Sequence, residues 1–485
     1  MSEIKDLNPQ RVWKHFYALT RIPRPSKKEG KVIEFMKNFG ESLGLETIVD
    51  KVGNVIIRKP ATPGMENRKG IIFQGHLDMV PQKNSDKVHD FEKDPIDAYI
   101  DGEWVKARGT TLGADNGMGC AAAMAVLEAT DLQHGPVEAL FTIDEETGMT
   151  GANELEPGIL MGDILMNLDS EDEGELYVGC AGGVDINVKM NYKEVAAPSG
   201  YTAYKLSVTG LKGGHSGMDI NIGRANSNKL LFRFLNHSIY HYDLKLGEVI
   251  GGSLRNAIPR ESFATVMVSN DQAVKFEAEI KKFQDIFRSE FSVTEPDLKM
   301  TAEKVKSPEK VIEDATKDKI IKATFVCHHG VERMSDAMPG LVETSNNLAI
   351  VKCQNGLFTV NCLTRSSVDT AKAGVMYRAG TVFDLIGATV TFDGAYPGWK
   401  PNMDSPILKT MQKTYKDLFG KIPEIKAVHA GLECGILGSK YPNWDMISFG
   451  PTIRFPHSPD EKVNIESVKK FWEFIVATMK NIPEK

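Results

Sequence analysis

The chain is poor in the features that mark secreted, membrane-spanning or nucleic-acid-binding proteins. It has six cysteines in 485 residues (Cys120, Cys180, Cys327, Cys353, Cys362 and Cys434), and no two form a C-x-x-C pair. Thiols scattered this thinly suggest a reducing cytoplasm rather than a disulfide framework, and they disfavour a zinc–thiolate site. No strongly basic block is present and the formal net charge is −7. A nucleic-acid partner is therefore not expected, since counterion displacement needs clustered Lys and Arg. No apolar run approaches the roughly 18 residues of a membrane helix, so no membrane association is expected. The first ten residues, MSEIKDLNPQ, lack a basic stretch followed by an apolar one, and the expected location is cytoplasmic.

What is present fits a globular α/β protein. Hydrophobic residues make up 41% and charged residues 25% of the chain, and its length exceeds what one core supports, so at least two domains are expected. Residues 9–45 carry apolar side chains at helical spacing, with Asn8 as the expected cap and Pro9 in the first turn. "TIVDKVGNVIIRKP" reads as a hairpin turning near Gly53-Asn54. "GIIFQGHLDMV", "VEALFTID", "DILMNLD" and "WDMISFGP" read as buried strands, and "NIESVKKFWEFIVATMKNI" as an amphipathic helix. Such alternation predicts a mainly parallel sheet covered by helices on both faces. Between residues 187 and 396 the texture changes to strand–helix–strand–strand–helix, twice over, which suggests two ferredoxin-like α+β lobes. The expected organisation is a catalytic domain of residues 1–186 and 397–485, interrupted by a two-lobed lid of residues 187–396. "GAYPGWKP", residues 394–401, would be the return hinge.

Five residues share one context, the end of a strand candidate or a glycine turn: His76, Asp115, Glu146, Asp169 and His457. In open α/β sheets ligands collect at the carboxyl ends of strands, so distant segments can converge there. Imidazole and carboxylate donors without thiolate suit zinc, and Mn²⁺ or Co²⁺ could substitute. Five ligands shared by two open-coordinated ions require one bridging carboxylate, and Asp115 in its glycine turn is the best candidate. Two divalent ions, three carboxylates and a hydroxide form a neutral cluster, which a partly buried pocket tolerates. Glu145 and Glu146 are adjacent, and on an extended backbone their side chains would diverge. Glu146 can then bind metal while Glu145 acts as general base. Asp78 shares a strand face with His76 and can hold its imidazole. Taken singly, each motif is better read as a strand end, a solvated turn or an exposed acidic loop. The case rests on the set.

The segments "GHLDMVPQK", "GTTLGADNGMG", "TIDEETGMTGA", "LDSEDEGELYVGCAGG", "LKGGHSG", "LRNAIPRESFAT", "HAGLECG" and "SFGPTIRFPHSPDE" resemble the aminoacyl-histidine dipeptidases. These belong to a broader family of co-catalytic zinc exopeptidases, aminoacylases and carnosinases, and the resemblance runs from near residue 1 to the last helix. It implies a catalytic domain with an inserted lid, two zinc ions on the five residues above, and a cis peptide after the bridging Asp115. It further implies that His215 of the lid stabilises an oxyanion, and that Asn256 and Arg365 hold the substrate's terminal carboxylate. Glu433 is assigned to the substrate ammonium group from charge alone. His429 could be a supporting residue, whereas His237 and His241, i and i+4 on a predicted helix, are read as a helix surface. The expected activity is hydrolysis of dipeptides, preferentially Xaa-His including β-Ala-His. A broader dipeptidase or tripeptidase, an N-acyl amino acid deacylase, and a non-catalytic binder on the same fold are the alternatives. Domain closure is expected to assemble the site. The doubled lid could replace a dimer partner, or could itself form a homodimer.

Overall fold

The structure is a computed structural model and describes residues 3–485. The chain divides into two compact units. The first comprises residues 1–179, 401–427 and 432–485, and the second residues 180–400 and 428–431.

The first unit is built on an eight-stranded sheet. Its centre is four parallel strands in the order Val137–Thr142, Ile71–His76, Ile164–Asn167 and Asp445–Ser448. Val137–Thr142, Ile71–His76 and Ile164–Asn167 are buried at every residue, which explains why each reads as a mostly apolar run. Antiparallel strands flank this centre, and Glu424–Val428 lies at the edge beside Glu175–Cys180. The hairpin Glu46–Val49 with Val55–Lys59 pairs beside Val137–Thr142, and Glu175–Cys180 pairs beside Asp445–Ser448. The Asp50 carboxylate accepts from the amides of Val52, Gly53 and Asn54, which closes the expected turn at Gly53-Asn54. Helix Gln10–Thr20 forms where the spacing placed it, with Pro9 rather than Asn8 at the cap position. The last helix, Ile465–Lys480, is capped by the Asn464 side chain accepting from Ser467.

A second, four-stranded sheet was not foreseen. It runs Ile453–Arg454, Lys462–Asn464, Trp104–Ala107, Ala98–Asp101. Its strands are two to four residues long, too short for a clear alternation pattern.

The second unit holds one nine-stranded antiparallel sheet rather than two separate lobes. Tyr201–Thr209, Lys245–Gly251, Ser262–Ser269 and Lys299–Val305 lie in the order fourth, first, third, second, with helices Ser227–His241 and Ala273–Glu290 as crossovers. That is the ferredoxin-like βαββαβ pattern. Gly182–Asn191, Val342–Gln354, Leu357–Ser366 and Thr389–Tyr396 repeat the same order with helices Asp314–Val326 and Asp369–Asp384. The two halves fuse where Lys245–Gly251 pairs with Val342–Gln354, and one continuous core spans both.

Two expectations about this region are corrected. The second repeat takes its first strand, Gly182–Asn191, from before the first repeat, so residue 187 falls mid-strand. Sequence order hid this, because one repeat is inserted within the other. Residues 428–431 also join this unit: Ala181 N–H donates to the carbonyls of Val428 and Ala430.

Candidate metal centre

The parallel strands deliver most of the centre. His76 ends Ile71–His76, Glu145 and Glu146 follow Val137–Thr142 by three and four residues, and Asp169 lies two beyond Asn167. His457 arrives differently. It sits, with φ of 58°, in the loop between Ile453–Arg454 and Lys462–Asn464. That hairpin pairs with Trp104–Ala107, the strand that leads into the Asp115 turn. The small sheet therefore couples the His457 loop to the Asp115 loop.

The five predicted ligand residues and Glu145 converge. Ligand atoms of His76, Asp115 and Asp169 lie within 4.8 Å of one another, as do those of Asp115, Glu146 and His457, and those of His76, Glu145 and Glu146. His76 Nε2 is 3.1 Å from Asp115 Oδ1 and 3.4 Å from Asp169 Oδ1. His457 Nε2 is 3.1 Å from Asp115 Oδ2 and 3.0 Å from Glu146 Oε2. One carboxylate thus presents a separate oxygen to each histidine. The Asp115–Asn116 peptide is cis.

Glu145 and Glu146 open a short helix, Glu145–Gly148, and do not lie on an extended backbone. Successive helical residues are rotated by about 100°, yet a carboxylate oxygen of each lies within 4.8 Å of one on the other. Glu145 Oε2 is 4.0 Å from His76 Nε2, while Glu146 turns to His457. Asp78 stays outside the ligand clusters of His76. Its Oδ1 is 3.4 Å from His76 Nδ1 and accepts from the Glu145 amide, and its Oδ2 accepts from Ser26 Oγ. One buried carboxylate therefore braces both the imidazole and the Glu145–Glu146 turn.

The donor set fits divalent cations. Glu146 Oε1 is buried and accepts no hydrogen bond, and Asp169 Oδ1 faces only the His76 ring nitrogen at 3.4 Å, an arrangement costly for carboxylate oxygens unless a further cation meets them. The protons report the same crowding. Burial, with the negative charge of Asp115 and Glu146, pushes Asp169 up to about 6. Burial raises Glu145 well above the carboxylate range, aided by Asp169, Glu433 and Glu146. Hydrogen bonds to Asp115 and Glu146 push His457 up to about 11. Burial alone would depress His76, but the carboxylates of Asp169, Asp115 and Asp78 reverse that and raise it.

Glu433 differs from its expected setting. It is fully buried, and its Oε2 accepts from Gln74 Nε2 at 2.6 Å and Thr142 Oγ1 at 2.8 Å. Its charge bears on Glu145, and a carboxylate held in this way is a poorly exposed contact for an ammonium group.

The remaining predicted residues lie in the second unit. Gly214–His215 pairs with Ala257–Ile258, and Ser216 N–H donates to the Asn256 carbonyl, so His215 and Asn256 are neighbours. His215 Nδ1 accepts from the amides of Gly217 and Met218 at 3.2 and 3.0 Å. An accepting Nδ1 assigns the proton to Nε2, leaving a neutral N–H donor. Burial and the Arg365 charge lower the His215 pKa, which favours that neutral form. Arg365 is buried, donating through Nε to Ser216 Oγ at 3.3 Å and through Nη1 to Tyr396 OH at 3.1 Å. His429 is buried in the same unit, with Nε2 2.7 Å from Ser345 Oγ. Ser345, Ser216 and Tyr396 carried no signal in sequence, because a hydroxyl gains meaning only from its neighbours. His237 and His241 lie side by side on helix Ser227–His241 with tilted rings whose centroids are 4.3 Å apart, and His237 pairs with Glu279.

A mixed sheet whose central parallel strands lead into an imidazole–carboxylate cluster is the framework of a divalent-metal protein. Residues 72–481 match the model of peptidase family M20/M25/M40, and the chain belongs to that family. It is 46% identical over 485 residues, the whole of both chains, to the cytosol non-specific dipeptidase of Escherichia coli. It is 48% identical to the aminoacylhistidine dipeptidase of Vibrio alginolyticus, whose crystal structure matches 100% of this chain and 99% of that one with a TM-score of 0.95. Aminopeptidase PepT of Bacillus cereus shares the fold at 16% identity and a TM-score of 0.57, over 98% of this chain and 99% of that one. The protein is accordingly a metallopeptidase.

Proposed function

We propose that the protein is a cytoplasmic dipeptidase that hydrolyses unblocked dipeptides, preferentially Xaa-His including β-Ala-His, with two zinc ions. The observation that carries the metal reading is the Asp115 carboxylate, with Oδ1 toward His76 and Oδ2 toward His457. His76 and Asp169 would hold one ion, Glu146 and His457 the other, and Asp115 both. Divalent ions so held supply Lewis-acid polarisation of a carbonyl and a lowered water pKa. Glu145 takes a proton from the attacking water and passes it to the leaving amine. A carboxyl whose pKa is lifted by burial and neighbouring charge suits that exchange. Asp78 fixes the His76 ring and the turn that carries Glu145.

In the second unit, His215 Nε2–H is assigned to the oxyanion, and Asn256 and Arg365 to the substrate's terminal carboxylate. The Arg fork suits a carboxylate. The substrate class rests on the two full-length relatives, whose names diverge: one is called non-specific, the other aminoacylhistidine. A broader dipeptidase is therefore the second reading. Metal-reconstituted protein assayed on β-Ala-His, Ala-Ala, Ala-Ala-Ala and N-acetyl amino acids separates the readings. The expected result is chelator-sensitive cleavage of dipeptides, fastest when histidine is C-terminal. Equal rates on Ala-Ala and β-Ala-His remove the histidine preference, and turnover of N-acetyl amino acids alone replaces the dipeptidase reading.

A further inference from the structure

Two buried ions of opposite sign, Glu461 and Arg24, grip the backbone of the loops that carry the centre. Each side chain belongs to a residue only 2% exposed. The Glu461 carboxylate accepts from four consecutive amides. Oε2 accepts from Leu112 at 2.7 Å and Gly113 at 3.0 Å, and Oε1 from Ala114 at 2.7 Å and Asp115 at 3.3 Å. Arg24 does the converse with carbonyls. Its Nη1 donates to Leu77 at 2.8 Å and Asp78 at 2.9 Å, and its Nη2 to Gly113 at 2.5 Å. A methyl group on Gly113 would lie 2.6 Å from Arg24 Nη2, and one on Gly117 would lie 2.7 Å away. Glycine at both positions therefore leaves room for the guanidinium.

The connectivity shows what each ion couples. Glu461 lies four residues after His457 in a turn closed by Glu461 N–H donating to the Ser458 carbonyl. Its carboxylate joins that turn to the amides of the Asp115 loop. Arg24 joins the same Asp115 loop to the end of the His76 strand. Asp115 is thereby held between its two histidines from both sides, through main-chain atoms.

We propose that Glu461 and Arg24 are positioning residues that set the spacing of Asp115 against His457 and His76, and so set metal affinity. The proposal rests on the reading of Asp115 as the bridging ligand. A carboxylate facing four N–H groups forms charge-assisted bonds that a neutral amide cannot replace, since the NH₂ of Gln would oppose donors.

The test is Co²⁺ titration of metal-free Glu461→Gln, read by the visible absorption of bound cobalt and by competition with a chelator. Loss of such supporting contacts costs roughly 10–100-fold in metal affinity, so that drop is expected, together with an altered cobalt spectrum. Activity should return at excess Co²⁺. Glu461→Asp keeps the charge but shortens its reach, serves if the Gln variant does not fold, and should fall between Gln and wild type. A purely structural role would lower the thermal midpoint while leaving the affinity and spectrum of the folded protein unchanged. That result overturns the proposal. His457→Ala is the control for the underlying reading. If it binds cobalt as wild type does, the ligand assignment fails, whereas a control that loses cobalt beside an unaffected Glu461→Gln sinks only the positioning role.

Discussion

Glu145→Gln keeps the shape of the side chain and removes its charge, and the structure sets opposite signs for its effects on rate and on stability. The local backbone does not depend on the carboxylate, because the Glu145 amide is anchored on Asp78 Oδ1 at 3.0 Å. The carboxylate is only 18% exposed, and burial with the charges of Asp169, Glu433 and Glu146 raises its pKa well above the usual range. The folded metal-free protein thus holds this proton more tightly than the unfolded chain. Stability falls as pH rises from the unfolded value through the folded one, and above both the full cost is present. Each unit of such a shift is worth about 1.4 kcal/mol. At mildly alkaline pH the metal-free Gln variant should therefore unfold at the same temperature as wild type or higher. Loss of a general base costs about 10²–10⁴ in rate, or about 3–5 kcal/mol of transition-state stabilisation. The assay is kcat on a dipeptide after metal reconstitution, with metal content and thermal midpoint measured on the same preparations. A kcat within about tenfold of wild type would remove Glu145 from the role of base. A clear drop in midpoint would show that the carboxylate is structural.

Two further perturbations probe other levels. His429 is 5% exposed, and burial, then the charges of Arg365 and His215, hold its pKa down at about 3. The unfolded chain takes up a proton that the folded one refuses, so stability falls as pH falls through the ordinary histidine value. That cost reaches about 2 kcal/mol near pH 5, and His429→Gln should lose this part of the acid sensitivity in denaturant titrations at about pH 7.5 and about pH 5. Identical pH dependence in the two proteins would mean that His429 titrates normally. At Gly450 an added Cβ would lie 1.7 Å from the Ser170 carbonyl oxygen, beside Asp169. Gly450→Ala should therefore destabilise by about 1–3 kcal/mol and weaken metal retention, and a neutral result in thermal unfolding with metal titration would show that this loop yields freely.

Much of the fold and of the centre was legible because local chemistry repeats tertiary purpose. A strand buried on both faces is mostly apolar, so "GIIFQGH" and "VEALFT" announced parallel strands, although Gln74 and Glu138 are buried within them, and the polar residues that end such strands stood out. The inserted region showed its two α+β repeats by periodicity. Their interleaving was invisible, since pairing between Gly182–Asn191 and Leu357–Ser366 spans more than 160 residues and leaves no local mark. The Glu145–Glu146 pair was found from its residue types, yet its conformation is a helical turn braced by Asp78.

By itself, the sequence determined which groups were available: two imidazoles and three carboxylates of ligand type, a fourth carboxylate as base, and strands apolar enough to be buried. Tertiary structure decided which oxygen faces which histidine. That choice depends on a four-stranded sheet of very short strands and on Glu461 and Arg24, ordinary charges in sequence that matter here because they are buried against main-chain amides and carbonyls. Residue type fixes what an atom can bind, but only packing brings two carboxylate oxygens to within about 3 Å of two histidines that lie hundreds of residues apart.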